Sequence, residues 1–156
     1  MINLIWAMDE NNLIGNGDKI PWHIKEDLLY YKSKTNGKTV LMGDTTYFSL
    51  KSYYKDKPLP YGKIYVATID KNLKIDGVEM VYDLISFIQK VDFELWVVGG
   101  STIYKLTLAY ADNLYISFIK GSHIGDRYFP NIDFNLYNLI WENNTDKVRY
   151  TIYERK

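Results

Sequence analysis

The sequence predicts a single-domain α/β fold: a mostly parallel, twisted sheet with flanking helices and an antiparallel strand at its C-terminal end. Short apolar runs alternate with segments of helical spacing, which is the pattern of strand-helix-strand units. The last two β runs are joined directly by a polar turn, which is the pattern of a hairpin. At 156 residues the chain is long enough for one core and short for two.

In chain order, residues 1–8 (MINLIWAM) form a short apolar run and read as a buried strand. Residues 9–19 hold two Gly and three Asn around the apolar pair Leu13-Ile14, which predicts a long loop touching the core once. Ile24, Leu28 and Tyr31 fall four and three apart and predict a helix over 24–35, stopped by Asn36-Gly37. Residues 38–42 read as a second strand. Gly43 breaks it, and Thr45 or Thr46 is expected to cap a short helix through Leu50. A polar, proline-bearing loop over 51–62 leads to a third strand at 63–68, and a fourth follows at 78–82. Asp83 caps a helix carrying Leu84, Ile85, Ile88 and Val91. Residues 94–98 (ELWVV) have the unbroken apolar character of a sheet centre and end at Gly99-Gly100. Ser101 opens a helix whose buried side is Ile103, Tyr104, Leu106, Leu108 and Ala111. Strand character returns at 113–119, a Gly-rich loop leads to Phe129-Pro130, and 136–142 with 147–154 form the terminal hairpin. That order contains eight strands.

Composition removes several functions. Nineteen basic side chains balance nineteen acidic ones, so no net field draws the chain to nucleic acid or to an anionic membrane. With no cysteine there is no zinc ribbon, iron–sulfur centre or thiol nucleophile, and a cytoplasmic setting is expected. The N-terminus has no Lys or Arg before Lys19, unlike a signal or transit peptide. The run 95–104 is too short to span a bilayer. His23 and His123 lack metal-ligand spacing, so no metal is expected, and there is no GxSxG elbow. A neutral chain of this size is expected to be a monomer acting on a small molecule.

In open α/β sheets ligands bind outside the carboxyl ends of the strands, so the strand-to-helix turns come first. Val98-Gly99-Gly100-Ser101-Thr102 places two glycines where a strand meets a helix N-terminus, exposing backbone N–H groups to an anion. Met42-Gly43-Asp44-Thr45-Thr46 repeats the arrangement with one glycine. Either could equally be a tight turn and no more, since neither has a standard phosphate-loop spacing. Asp27 lies in the first turns of a helix, one residue before Leu28 and five after Trp22. Beside apolar walls its carboxyl would have a raised pKa and could relay a proton or bind a cationic heterocycle. First-turn acids also simply answer the helix dipole, and spacing alone leaves both readings open.

Six motifs then fall in one register: Ile14-Gly15-x5-Pro21-Trp22-x4-Asp27-Leu28, Met42-Gly43-x-x-Thr46, Pro58-Leu59-Pro60, Val98-Gly99-Gly100-x-x-Ile103-Tyr104, Leu114-Tyr115-Ile116-Ser117 and Gly125-Asp126-x-x-Phe129-Pro130. In this the chain resembles the dihydrofolate reductase family over essentially its whole length. The resemblance implies an eight-stranded, mostly parallel sheet and hydride transfer from NADPH to C6 of dihydrofolate with protonation at N5, yielding tetrahydrofolate. It implies that Asp27 is the pterin-binding carboxylate, that Ser117 steadies it, and that Trp22 helps hold an ordered water. Ile5, Ala7, Leu28 and Tyr31 would line the pterin and benzoyl pocket with Leu50, Val98 and Tyr104. Gly99, Gly100, Ser101 and Thr102 would cradle the dinucleotide pyrophosphate opposite Thr45 and Thr46, beside Gly43 and Ile103. Ala7, Ile14, Gly15, Ile20, Val98 and Tyr104 would also meet the cofactor, whose nicotinamide would lie under a flap over 9–19 latched by Asp126.

Three departures matter. Asp44 stands where the family usually has the Arg that grips the 2′-phosphate, and Ile69 after Thr68 supplies no replacement donor, so NADH use is expected beside NADPH. Tyr61-Gly62-Lys63 stands where the family has the Arg that holds the glutamate tail, which leaves Lys63 as the expected substitute. The only arginines, Arg127, Arg149 and Arg155, lie late in the chain. Two other readings follow from these gaps: a reductase of the same fold for another pterin or a riboflavin-pathway intermediate, and a non-catalytic ligand-binding relative.

Overall fold

The computed structural model describes residues 1–17 and 19–156; Asp18, part of the expected flap, lies outside the described residues. Strand β1 (Ile2–Met8) is followed by the short β2 (Leu13–Gly15) and helix α1 (Lys25–Thr35). Then come β3 (Val40–Gly43), α2 (Asp44–Tyr54), β4 (Ile64–Ala67), β5 (Glu79–Val81) and α3 (Leu84–Lys90). Next are β6 (Leu95–Val97), α4 (Ser101–Thr107), β7 (Asn113–Ile119), β8 (Arg127–Tyr128), β9 (Tyr137–Asn144) and β10 (Val148–Arg155). Eight of these strands form one sheet in the order β5-β4-β3-β6-β1-β7-β10-β9. The first six are parallel, while β10 runs antiparallel to both β7 and β9. No helix among the described residues is long and apolar enough to cross a membrane.

The central strands are largely apolar because helices cover both faces, with Asn3 of β1 paired to Asn113 of β7 as a buried polar exception. On one face Ile5, Val40, Met42 and Trp96 pack with Tyr31 of α1 and Tyr47 and Leu50 of α2. On the other, Leu4, Trp6, Leu41 and Val97 pack with Phe87 and Ile88 of α3 and Ile103 and Tyr104 of α4. Leu4, Leu41, Leu95 and Val97 are fully buried, each stabilising the fold by about 1.5–3 kcal/mol. Since β1, β3, β4, β6 and β7 are parallel, their carboxyl ends share one edge of the sheet, and the N-termini of α2 and α4 open there.

Several details differ from the sequence reading. The helix opened by Ser101 ends at Thr107, where a 3-10 turn over Leu108–Tyr110 follows, and Leu106 is 43% exposed instead of buried. Helix α2 begins at Asp44, with Gly43 at its cap position and no side-chain cap, so neither Thr45 nor Thr46 caps it. It also continues past Leu50 to Tyr54, ending where Lys55 adopts φ 54°; this solvent-facing last turn carries no apolar period to reveal it. The loop region 9–19 contains β2, which pairs with β8 in a separate two-stranded sheet. Strands of three and two residues are too short to leave an alternating pattern.

Candidate active site

Asp27 sits in the first turn of α1, whose cap position is held by Ile24 without a side-chain hydrogen bond. Its carboxylate does not cap the helix. Burial raises its pKa, the hydroxyl of Ser117 on β7 beside it offsets part of the rise, and the neighbouring Glu26 charge adds to it. The net direction is up. Ser117 is itself buried and lies directly opposite Ala7 of β1 in register, so Ala7 and Ser117 share one sheet face with Ile5. Trp22, buried on the same side, packs with Ile119, Val148 and Tyr150 and meets His123 edge-on at 5.3 Å.

At the carboxyl edge the two glycine turns touch. The N–H of Gly43 donates to the Gly99 carbonyl at 2.9 Å. A Cβ at Gly100 would stand 3.3 Å from Thr46 Oγ1, and one at Gly43 would stand 3.1 Å from Ile103. Bare backbone is therefore required for the turns to approach this closely. Neither Gly43 nor Gly100 gives its helix a side-chain cap, so the first-turn N–H groups of Ser101, Thr102 and Ile103 are left uncapped at the start of α4. Bare N–H groups at the start of α4 suit a diphosphate, while at the start of α2 the Thr45 N–H is already taken by Asp44. Tyr104, fully buried, donates its hydroxyl to the Ile5 carbonyl at 2.7 Å and joins α4 to β1. Ile14 and Gly15 lie in β2, and Gly17 N–H donates to Asp126 at 2.8 Å, tying the 9–19 loop to the Gly125-Asp126 loop.

A family model described as dihydrofolate reductase matches residues 1–155. The chain belongs to the dihydrofolate reductase family. It is 34% identical to the dihydrofolate reductase of Bacillus subtilis, with 100% of this chain and 95% of that one aligned. It is 31% identical to that of Mycoplasma pneumoniae, over 99% and 98%. Among solved structures, dihydrofolate reductase from Enterococcus faecalis complexed with NADP(H) and RAB-propyl superposes with a TM-score of 0.84 at 27% identity, covering 100% of this chain and 96% of that one.

Within this dihydrofolate reductase fold the departures take definite positions. Asp44 is anchored from just beyond β4 and from its own helix: Thr68 donates its hydroxyl to Oδ2 at 2.8 Å, and Thr45 N–H donates to Oδ1 at 2.7 Å. Ile69 is 98% exposed and offers no polar atom to this end of the site. Lys63 does not stand beside Tyr31. Its Nζ lies over the ring of Tyr65, which packs with Phe87 and Phe93 on the α3 side of the sheet, because side chains two apart along a strand share a face. On the α1 side stands Tyr61 instead, its hydroxyl paired with that of Tyr31 at 2.8 Å. A side chain at Gly62 would meet the Gly37 carbonyl oxygen at 2.7 Å, so that position holds no anchor either.

Two expected pocket residues are more open than the sequence suggested: Leu28 is 44% exposed and Ile20 62%. On α1 it is Thr35 that is buried and Tyr31 that packs partly buried against the sheet. Three residues escaped the sequence reading. Asp9 is buried and binds Asn11 N–H, Leu13 N–H and His123 N–H, organising the loop; an Asp before Asn11-Asn12 is a recognisable turn signal. Tyr61 and Tyr150 carried no signal, since their partners lie far away in sequence.

Proposed function

We propose that this chain reduces 7,8-dihydrofolate to tetrahydrofolate with NADPH, Asp27 being the carboxylate that binds the pterin. The observation that carries the reading is a carboxyl sheltered against the sheet face, beside the Ser117 hydroxyl, at the edge where two glycine turns meet. The Asp27 carboxylate is suited to the pterin amide and amino groups as a two-point acceptor, and its raised proton affinity favours protonation at N5. Ser117 orients it. Ile5, Ala7, Tyr31, Leu50 and Val98 offer the apolar wall that excludes water from the ring. Backbone N–H groups of Gly100, Ser101 and Thr102, with the hydroxyls of Thr45 and Thr46, are placed for the pyrophosphate of the cofactor. When bound, NADPH supplies the hydride. Retention of Asp27, Ser117 and Trp22 together argues against a non-catalytic relative. Absence of cysteine and balanced charge support a cytoplasmic monomer.

The test is steady-state loss of reduced-nicotinamide absorbance with dihydrofolate. Turnover is expected with NADPH; none in a folded protein overturns the proposal. Ser117→Ala removes a donor to the Asp27 carboxylate and is expected to move the pH limb of kcat upward, in contrast to a plain loss of packing.

The substrate tail has its own test. Tyr61→Phe is expected to raise KM for dihydrofolate about 2–10-fold, the worth of one lost hydrogen bond, while Lys63→Ala leaves it within about twofold. KM values in the opposite order return the role to Lys63.

A further inference from the structure

Glu26 precedes Asp27 and is exposed on the first turn of α1, where such a side chain is ordinarily free in solvent. Here a single oxygen, Oε1, accepts two hydrogen bonds: from Thr145 Oγ1 at 2.5 Å and from Tyr150 OH at 3.1 Å. Thr145 forms the turn between β9 and β10, its hydroxyl also receiving the Val148 N–H at 3.1 Å. Tyr150 is buried, leans on Tyr30 at 4.4 Å between ring centroids, and lies directly opposite Ser117 in the β10–β7 register. One cross-strand pair therefore stands against two consecutive carboxylates, the Ser117 hydroxyl beside Asp27 and Tyr150 donating to Glu26.

We propose that Glu26 is a positioning residue for Asp27: held by Thr145 and Tyr150, it fastens the first turn of α1 to the terminal hairpin and keeps a negative charge beside the catalytic carboxyl. The inference rests on the reading of Asp27 as that carboxyl. The groups around Asp27 are few. From α1 come Glu26 and Tyr30, with Lys34 farther along, stacked over Tyr30 and Tyr115; from β7 come Tyr115 and Ser117, and from β10 Tyr150. Asp146 and Lys147 flank Thr145 in the exposed turn, and His23 precedes the helix. The phenols stay neutral, burial pushing Tyr30 up to about 12 and Tyr150 in the same direction. Glu26 is thus the charged neighbour whose place is set by hydrogen bonds to another element. Its charge opposes deprotonation of Asp27, so its removal lowers the pH at which Asp27 loses its proton.

The experiment is the pH profile of kcat for wild type, Glu26→Gln, Tyr150→Phe and Glu26→Asp, with melting curves to establish folding. In Glu26→Gln the falling high-pH limb is expected at lower pH, so turnover at a fixed pH on that limb drops about two- to threefold, the size of an exposed charge interaction, while the low-pH plateau is kept. Tyr150→Phe removes one of the two bonds that hold Glu26, leaving Thr145, and is expected to shift the limb the same way by less. Glu26→Asp keeps the charge and restores part of the shift. High salt erases the difference between wild type and Glu26→Gln. A ¹³C NMR titration of the Asp27 carboxyl in the ligand-free protein is expected to show the same displacement without turnover. A limb and a titration unmoved in folded Glu26→Gln, or a loss uniform across pH, overturn the inference. Failure here while Asp27→Asn abolishes turnover leaves the assigned function standing; full activity in Asp27→Asn removes both.

Discussion

Asp27→Asn is expected to lower turnover of dihydrofolate about 100-fold or more, the range for loss of a positioned acid–base group, with the protein still folded. The amide keeps the shape and loses both the charge that matches the pterin donors and the capacity to favour a proton at N5. Stability is expected to move the other way. Burial raises the Asp27 pKa above its unfolded value, so the ionised form weighs against folding at every pH above the unfolded pKa. At neutral pH the Asn variant therefore has a higher Tm than wild type, and the gain shrinks as pH falls through the folded and then the unfolded pKa, where both states are protonated. Melting curves from pH 3 to 8 beside steady-state rates check both signs. A variant that is inactive and also less stable at neutral pH would show that Asp27 is a structural residue.

Asp44→Arg is expected to raise the ratio of kcat/KM for NADPH over NADH about 10- to 100-fold, since it replaces a repelling charge with a charged hydrogen bond worth roughly 1.5–3 kcal/mol. Asp44 is not free to swing away from a 2′-phosphate, because Thr68 and Thr45 hold both its oxygens at the start of α2. A carboxylate at this point accepts a free ribose hydroxyl and repels a phosphate. NADPH is the cofactor of the family, and the wild-type chain is expected to accept NADH as well. Kinetics with both cofactors, repeated at high salt to screen the repulsion, check this. An unchanged ratio in Asp44→Arg would place the adenosine ribose elsewhere.

Much of the fold was legible because strand and helix signals are local. The run ELWVV marked the buried β6, Asp83 capped α3 by accepting the Ser86 N–H, and Gly99-Gly100 marked the turn into α4. The candidate site was legible at Asp27 and the glycine turns, where a residue type and its place in an element already restrict the chemistry. At Lys63 the charge was visible in the sequence and the face of the sheet it occupies was not.

By itself, then, the sequence determined the order of elements, the carboxyl edge as the place for a ligand, the acid available to it, and the lack of an arginine for either anchor. These follow from periodicity, glycine conformation and composition, which need no knowledge of distant neighbours. Tertiary structure alone decided the strand order, the β2–β8 pairing that ties the loop, the meeting of Asp27 with Ser117, the turn of Lys63 to the α3 face, and the hold of Thr145 and Tyr150 on Glu26. Each of these depends on register between strands and helices far apart in the chain, and a shift of one residue would send every such side chain to the opposite face.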